Sequence, residues 1–347
     1  MAEASSCAST ELEFSQSDHD IFIPHGTAEA ATTITESASG GGSSSSASQL
    51  VQLQEALRRT THLGIGAHQD DLEFMALSGI LECFDHTSSS SSPSSSFFGG
   101  ITCTDGAGSA RGGGGSDKVT TPGQQRRRRR QHPYARTTDD EMKRIRVLEQ
   151  RKAAMIGNYS CMVQLGHPSR HAKHPDERRS LVNDLKQILT TVPPGCTVYT
   201  HNPFDKHATH VGVCLATIQA IRELPVQQRP RALIGCEVWR GLDWLCEGDK
   251  LVQDVSARPN VAAALNGVYD SQINGGKRYD AAVEGRRRAN ATFLNSHATD
   301  GTATHVQYAV DLTDLVTYPQ LTVREFCHAR LQRFQQDVLN QLKTLEG

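Results

Sequence analysis

Short apolar runs alternate with segments of helical period along most of the chain. Apolar runs of about five residues predict strands, whereas apolar positions spaced three and four residues apart predict amphipathic helices. Strands separated by helices of ten or more residues are typical of parallel β-α-β units, with helices on both faces of the sheet. The predicted strands span 62–67, 100–104, 162–165, 196–200 and 232–238, and the predicted helices span 49–60, 71–84, 141–156, 180–189 and 211–224.

Three segments are too poor in apolar residues to contribute to a core. Residues 27–48 are almost entirely Ala, Thr, Ser, Gly and Glu, which is typical of a flexible linker. The blocks at 87–97 and 112–131 are interpreted as lengthened surface loops, because loop-closure cost grows slowly with length. We therefore predict a largely disordered tail and linker over 1–48 and one catalytic domain over 49–347.

Apolar residues near both ends predict additional packing. Phe14 and the run Ile21, Phe22 and Ile23 predict that a short N-terminal piece docks onto the domain. From Phe326 to Leu345 the apolar spacing is that of an amphipathic helix, which we expect to pack against the domain as well.

Composition and charge exclude several classes of protein. The chain has 347 residues, 36 basic and 38 acidic, and a formal net charge of −2, so no global field favours nucleic acid or an anionic membrane. No run of 18 apolar residues occurs, and the N-terminus lacks a basic segment followed by an apolar one. Its nine cysteines include no C-x-x-C pair, which favours reduced thiols and a cytoplasmic protein.

One local charge run departs from this balance. Five consecutive arginines, Arg126 to Arg130, lie in a Gly-, Thr- and Pro-rich setting. They are interpreted as a solvated insertion, because no aromatic residues interleave to stack on bases. A nuclear or RNA-binding role for this tract stays open as an alternative function.

Polar clusters follow two of the predicted strands. His68, Asp70 and Asp71 come directly after the first strand, and His207 and His210 follow the strand at 196–200. The carboxyl ends of parallel strands form the ligand-binding edge of such a sheet. Imidazole and carboxylate are zinc ligands, and zinc activates water and polarises a carbonyl. Helix capping by the aspartates and surface placement of the histidines are the competing interpretations.

Five motifs in order resemble those of the PIG-L or LmbE-like zinc de-N-acetylases: GAHQDDLEF, ITCTDGAGSAR, IRVLEQRKAAMIG, LGHPS and DKHATHVGV. They cover roughly residues 60–225, and the likeness, most similar to an uncharacterised and mostly bacterial branch, continues through GCEVWRGLDWL and YDSQINGGKRYD. The family hydrolyses N-acetyl groups from glucosamine-containing substrates. The resemblance implies an LmbE-like fold, a Rossmann-like three-layer α/β/α sandwich with a mainly parallel sheet.

The resemblance also implies roles for individual residues. It places the metal ligands on His68, Asp71 and His210, and the general base on Asp70. His207 would stabilise the oxyanion or donate a proton. Arg146 would contact substrate, although an ordinary ion pair with Glu149, three residues along the same helix, is the alternative.

The chain departs from the family pattern at two positions. Gln69 stands where the family has Pro, and Thr209 stands where it has an Asp that orients a histidine. Asp205 is the candidate to replace that carboxylate. If it does not, the acid and oxyanion role of His207 is less secure. Thr209 also leaves open the alternative of a catalytically impaired sugar-binding protein with the same pocket.

The sequence thus predicts a zinc-dependent deacetylase, a hydrolase that removes an N-acyl group from an amino-sugar conjugate and releases acetate and a free amine. Fe2+ or another divalent metal could replace zinc. The expected partner is the small-molecule substrate, with no nucleic acid and no membrane, and a homo-oligomer is left open. A basic group, Lys277, Arg278, Arg286 to Arg288 and His297, is interpreted either as a rim for an anionic substrate or as a solvated helix face.

Overall fold

A computed structural model of the chain describes residues 12–24, 44–84, 95–109, 111 and 133–346. These residues form one eight-stranded sheet with the strand order β1-β4-β3-β2-β5-β6-β8-β7. The strands are β1 (Asp20–Phe22), β2 (His62–Gly66), β3 (Phe98–Thr104), β4 (Cys161–His167), β5 (Thr197–His201), β6 (Ala232–Cys236), β7 (Leu251–Asp254) and β8 (Val306–Asp311).

The five central strands, β4, β3, β2, β5 and β6, are mutually parallel, as the sequence predicted. At the edges β1 pairs antiparallel with β4, and β8 pairs antiparallel with both β6 and β7. The described helices are α1 (Ser44–Arg59), α2 (Asp71–Met75), α3 (Leu77–Cys83), α4 (Asp139–Ile156), α5 (Arg170–Lys173), α6 (Arg179–Thr191), α7 (Ala208–Arg222), α8 (Pro259–Gly267), α9 (Asp270–Ile273), α10 (Tyr279–Thr292), α11 (Thr313–Thr317) and α12 (Val323–Glu346).

Two hydrophobic clusters line the two faces of the sheet and confirm the predicted three layers. On β2, Leu63 and Ile65 join the cluster that α1, α6 and α7 cover. Gly64 lies on the other face, where a Cβ atom would come within 3 Å of Phe98 and Leu72. The alternation of branched residues with glycine therefore lets α2 and α3 pack closely against the end of the strand that carries the polar cluster.

The N-terminal piece docks onto the domain, as expected. Leu12 and Ile21 are buried in the core, and Asp20 on β1 pairs with Arg151 on α4. The Ser15 N–H and hydroxyl group donate to the carboxylate of Asp184 on α6. The segment 12–24 is thus an ordered edge of the sheet.

The predictions about low-complexity segments fall largely outside the described residues. The tract Arg126 to Arg130 and nearly all of the blocks at 87–97 and 112–131 belong to this group. Residues 27–43 also lie outside the described residues. Helix α1 begins at Ser44, five residues before the predicted helix start. The division into a tail and one catalytic domain stays a prediction.

The prediction for the last helix is wrong in its main point. α12 forms where the spacing placed it, but Phe326 is its only buried residue. From Leu331 to Glu346 every residue is exposed, including four leucines, one valine and one phenylalanine. An apolar stripe predicts that a helix has a partner face, and it cannot tell whether the same chain provides that face.

Two further findings concern the described part of the chain as a whole. No helix within it is long and apolar enough to cross a membrane. Its eight cysteines are all free thiols, and six of them are buried.

Candidate metal centre and active site

A four-residue turn between β2 and α2 carries the first part of the site. Asp70 has φ of 102°, in the left-handed region that only a few per cent of non-glycine residues adopt. It occupies the N-cap position of α2, yet its side chain makes no capping hydrogen bond. The carboxylate of Asp71 instead turns back and accepts from the backbone N–H of His68 at 2.7 Å. Capping therefore does not explain the aspartate pair.

Gln69, which replaces the family's proline, ties this turn to the neighbouring strands. Its amide nitrogen donates to the backbone oxygen of Thr104 at 3.3 Å and to the side-chain oxygen of Gln164 at 3.2 Å. These bonds stiffen a turn that no longer has a proline ring. The departure from the pattern therefore leaves the His68 and Asp71 side chains in place.

His68, Asp71 and His210 bring three ligating atoms together at the strand tips. His68 Nδ1 lies 3.2 Å from Asp71 Oδ2 and 3.2 Å from His210 Nε2, and His210 Nε2 lies 3.4 Å from Asp71 Oδ1. A tetrahedral zinc ion with ligand bonds near 2.0–2.1 Å requires its ligand atoms to be about 3.3 Å apart. The distances involve both carboxylate oxygens of Asp71, and they are compatible with such an ion held by the two imidazoles and this carboxylate. We refer to these three residues as the convergent cluster.

The protonation states of the convergent cluster favour a cation at its centre. Burial raises the pKa of Asp71, but His210 and His201 outweigh that effect, and the pKa lies well below its ordinary value. Burial lowers the pKa of His68. For His210 burial is outweighed by Asp71 and Asp205, which raise the pKa. The carboxylates thus create a negative potential that a bound metal ion would neutralise.

His201, at the end of β5, was not singled out in the sequence, although it opens the same HNPFDKHATH segment. Its Nε2 atom lies 3.3 Å from Asp71 Oδ2, and Asp71, His201 and His210 form a second group with ligand-like spacing. The other group with such spacing consists of His68, His207 and His210. However, His201 Nε2 already accepts the backbone N–H of Ala67 at 2.9 Å. Its lone pair is therefore occupied, and we assign His201 to support of the cluster. Its ring stacks on that of His210, with 3.9 Å between centroids.

Asp205 replaces the carboxylate that is missing at position 209. Its Oδ2 atom lies 3.2 Å from His210 Nδ1, the ring nitrogen that faces away from the convergent cluster. The same carboxylate accepts from the backbone N–H groups of His207 and Trp239. A carboxylate behind a metal-binding histidine fixes the ring's tautomer and orientation. The chain thus keeps this support despite Thr209.

His207 lies beside the cluster at the start of α7. Its ring centroid is 4.5 Å from that of His210 and 5.1 Å from that of His68, and Trp239 stacks on its far side. Burial and the neighbouring His210 lower the pKa of His207 to about 4, so the ring is neutral at pH 7. Its Nδ1 atom is buried and makes no hydrogen bond. A neutral imidazole with a free nitrogen can bind a ligand as a hydrogen-bond partner.

Asp70 and Arg146 form a buried ion pair at the edge of the cluster. Arg146 Nη2 donates to Asp70 Oδ2 at 3.1 Å and also to the backbone oxygen of Gln69. Burial raises the pKa of Asp70 to about 7, although Arg146 opposes the shift. A carboxylate whose pKa lies near neutrality is suited to accept and return a proton.

Arg146 is not the ordinary helix-face ion pair that the sequence left as an alternative. Its nearest contact to Glu149 is 3.9 Å, whereas Glu149 accepts from the backbone and hydroxyl groups of Ser271 at 2.7 Å. The Nε and Nη1 atoms of Arg146 make no hydrogen bond, although the side chain is almost fully buried. The guanidinium therefore holds Asp70 and keeps two nitrogen atoms without a hydrogen bond.

A cavity of about 510 Å3 opens onto these groups. His68, Asp70, Asp71, Arg146 and His207 all line it, so the structure brings five of the six predicted site residues to one surface. His210 lies directly behind, with no exposed surface. The opposite wall is aromatic and includes Trp239 and Tyr279.

The basic group of the C-terminal third contributes little to this cavity. Lys277 lines it and lies 5.0 Å above the Trp239 ring. Arg278 and Arg288 pair with Asp280 and Glu284. Arg287 is buried and donates to backbone oxygens of α2. Besides Lys277 and Arg146, the cavity is lined by one more basic side chain, Lys173 of α5.

Comparison with known proteins identifies solved structures with a similar fold. No protein-family model matches the chain, and no curated protein matches it. Among solved structures, N,N'-diacetylchitobiose deacetylase from Pyrococcus horikoshii aligns with a TM-score of 0.52 at 13% identity, over 80% of this chain and 96% of that one. The 4-carboxy-2-hydroxymuconate hydratase GalB from Pseudomonas putida KT2440 aligns with a TM-score of 0.50 at 15% identity, over 76% and 98%.

These similarities confirm the fold that the sequence motifs implied. A deacetylase and a hydratase share it, so the fold by itself does not select the reaction. The chemistry of this chain has to be argued from its own residues.

Proposed function

We propose that this chain is a metal-dependent deacetylase of the PIG-L or LmbE-like family that removes an N-acetyl group from an amino-sugar conjugate. The observation that carries the proposal is the convergence of His68 Nδ1, His210 Nε2 and the Asp71 carboxylate, with contacts of 3.2 to 3.4 Å, beside a second carboxylate that lines the same cavity. The sequence motifs place the family's metal ligands and base on these residues, and the chitobiose deacetylase has the same fold.

His68, Asp71 and His210 would hold the metal ion. When bound there, zinc supplies a Lewis acid that polarises the amide carbonyl and lowers the pKa of water to roughly 7. Nitrogen and carboxylate oxygen donors suit zinc and also Fe2+, so the donor set does not select between them.

Asp70 is the proposed general base. Its carboxylate lines the cavity next to the convergent cluster, and Arg146 holds one of its oxygens at 3.1 Å. The other oxygen is free to take a proton from the attacking water. The same carboxyl group then returns that proton to the nitrogen of the departing amine.

His207 is proposed to stabilise the developing oxyanion. Its ring is neutral and adjoins the convergent cluster from the cavity side, with Trp239 stacked behind it. A neutral imidazole can donate one N–H to the amide oxygen as negative charge develops there. Since its pKa is low, we assign delivery of the proton to Asp70 and not to His207.

The cavity suits one sugar residue with an extension. Its volume of about 510 Å3 lies within the usual range for small-molecule sites. Trp239, whose ring stacks on His207, and Tyr279 line the cavity and provide apolar surface for the C–H groups of a sugar ring. Arg146 Nη1, which is buried without a hydrogen bond, is the proposed donor to a substrate hydroxyl or acyl oxygen.

The alternative of an impaired sugar-binding protein loses its main support. It depended on the missing carboxylate at Thr209, and Asp205 occupies that role toward His210.

Chelation tests the proposed function. Acetate release from N-acetylglucosamine conjugates should be lost after metal is removed and should return when Zn2+ or Fe2+ is added. The chelated protein should keep its far-UV circular dichroism, which shows that the fold persists. Acetate release that continues unchanged in metal-free protein would contradict the proposal.

A further inference from the structure

An exposed apolar stripe runs along α12. It consists of Leu331, Phe334, Val338, Leu342 and Leu345, which we call the α12 seam, and these side chains are 49%, 37%, 39%, 46% and 77% exposed. On a helix that turns about 100° per residue, all five lie within about 40° on either side of Val338. Leu339, also 49% exposed, lies about 100° from Val338 and flanks the stripe on one side. The five-residue stripe itself has the width of a two-helix seam.

The described part of the domain covers only the start of this seam. Phe326 anchors the start of α12, Arg333 pairs with Asp249, and the Trp244 ring contacts Phe334 at 5.7 Å between centroids. Beyond Phe334 every residue to Glu346 is exposed. A helix segment of this length is marginal in water unless its apolar face is packed. We therefore expect the α12 seam to pack against a partner surface.

The spacing of the seam is the same in both directions. Successive members are 3, 4, 4 and 3 residues apart, so the pattern is symmetric about Val338. When two such helices are laid antiparallel across a two-fold axis at Val338, Leu331 faces Leu345, Phe334 faces Leu342 and Val338 faces Val338. A self-complementary patch of this kind is what an isologous dimer interface requires.

The residues that flank the seam are compatible with the same arrangement. Gln335 and Gln341, one on each side, face each other in the antiparallel pair. The charged side chains Arg333, Asp337 and Lys343 lie outside the seam, so no like charges meet across the axis. An unrelated partner would not require this symmetry, whereas a second copy of the chain does.

We propose that two copies of this chain associate through the α12 seam, antiparallel about a two-fold axis at Val338. The seam spans 15 residues, about 22 Å of helix, which is small for a specific interface. Association is therefore concentration-dependent, and the monomer predominates on dilution. This inference rests on α12 alone and is independent of the deacetylase chemistry.

Sedimentation velocity of the full chain tests the pairing. Between about 1 and about 200 μM the average mass should rise from 37.8 kDa toward twice that value. Val338→Asp places two carboxylates face to face and should keep the protein monomeric over the whole range. Gln336→Asp adds the same charge on the outer side of α12 and should dimerise as the unmodified chain does. A monomer at every concentration, or an undiminished dimer in Val338→Asp, would overturn the proposal.

Cysteine cross-linking tests the antiparallel geometry. Val338→Cys should form a disulfide-linked dimer on mild oxidation, because each copy faces itself at that position. Leu331→Cys and Leu345→Cys should not cross-link separately but should do so when the two variants are mixed. The unmodified chain gives the background from its native thiols. Efficient cross-linking of each variant with itself would indicate a parallel pair and would contradict the two-fold axis at Val338.

Discussion

Two clusters of two histidines and one aspartate lie at carboxyl ends of strands in the same sheet, and they differ in geometry. The convergent cluster directs three ligand atoms at one point beside the cavity. The second, which we call the linear cluster, consists of His167, His171 and Asp184. His167 uses both ring nitrogens in a row, Nε2 to Asp184 at 2.8 Å and Nδ1 to His171 at 2.9 Å.

The difference shows that residue types alone do not make a metal site. In the linear cluster the ring nitrogens and the carboxylate oxygens are already hydrogen-bonded to one another. The Asp184 carboxylate also accepts hydrogen bonds from Ser15. Within the described ranges, the two groups with ligand-like spacing are His68 with His207 and His210, and Asp71 with His201 and His210; the linear cluster is not among them. This difference supports the proposal that the convergent cluster binds the metal, whereas the linear cluster attaches the N-terminal segment.

The largest expected effect comes from removing one histidine of each cluster. His210→Ala takes away a ligand, and we expect it to abolish both metal binding and acetate release. His167→Gln, the matched change in the linear cluster, should leave about one metal ion per chain. Elemental analysis of both purified variants measures this. Equal metal content in the two variants would contradict the claim that the convergent cluster binds metal and the linear cluster does not.

A smaller effect is expected from substituting the carboxylate that contacts a histidine of each cluster, which is Asp205 behind the convergent cluster and Asp184 within the linear cluster. Asp205→Asn weakens the orientation of His210, and metal affinity should fall by about 10- to 100-fold. Asp184→Asn should leave metal affinity unchanged and lower the melting temperature, because Asp184 is a fully buried partner of His167. Competition with a chromogenic chelator measures affinity. A loss of metal affinity in Asp184→Asn would contradict the assignment.

The smallest effect concerns the acid sensitivity of the linear cluster. Burial lowers the pKa of His171, and His167 adds to the shift. The unfolded chain therefore binds the proton more readily, so the contribution of His171 to stability is present above pH 6.5 and is lost as the pH falls below it. His171→Gln should flatten the decrease in unfolding free energy between pH 7 and pH 5. Urea titrations at several pH values measure the slope, and an identical slope in both proteins would refute this.

Much of the fold and the site could be predicted from the sequence because the signals are local. The five central strands are short apolar runs, and His68, Asp70 and Asp71 follow the first of them directly. β7 and β8 were not predicted. β7 is half exposed and lacks a clear apolar run, and β8 pairs with β6 across about 70 residues of chain. Such pairing depends on tertiary contacts that periodicity does not encode.

The parts of the site that sequence reasoning missed depend on distances between elements. His201 ends β5 as one more histidine in a histidine-rich segment, and only its contacts with Ala67 and His210 reveal a supporting role. That Arg146 contacts substrate stays a prediction, but its hydrogen bonds to Asp70 and Gln69 on another turn could not be read from the sequence. The sequence also predicted that α12 packs against the domain, which was wrong, because an apolar stripe does not show which surface it contacts.

The most direct test of the central claim compares the natural protein with Asp70→Asn in metal content and in acetate release from N-acetylglucosamine conjugates. Asn keeps the shape of Asp70 and an oxygen for Arg146, but it cannot take a proton. We predict about one metal ion per chain in both proteins and a 10^2- to 10^4-fold lower rate in the variant. Acetate release from Asp70→Asn at the natural rate, or absence of metal from the natural protein, would contradict the account.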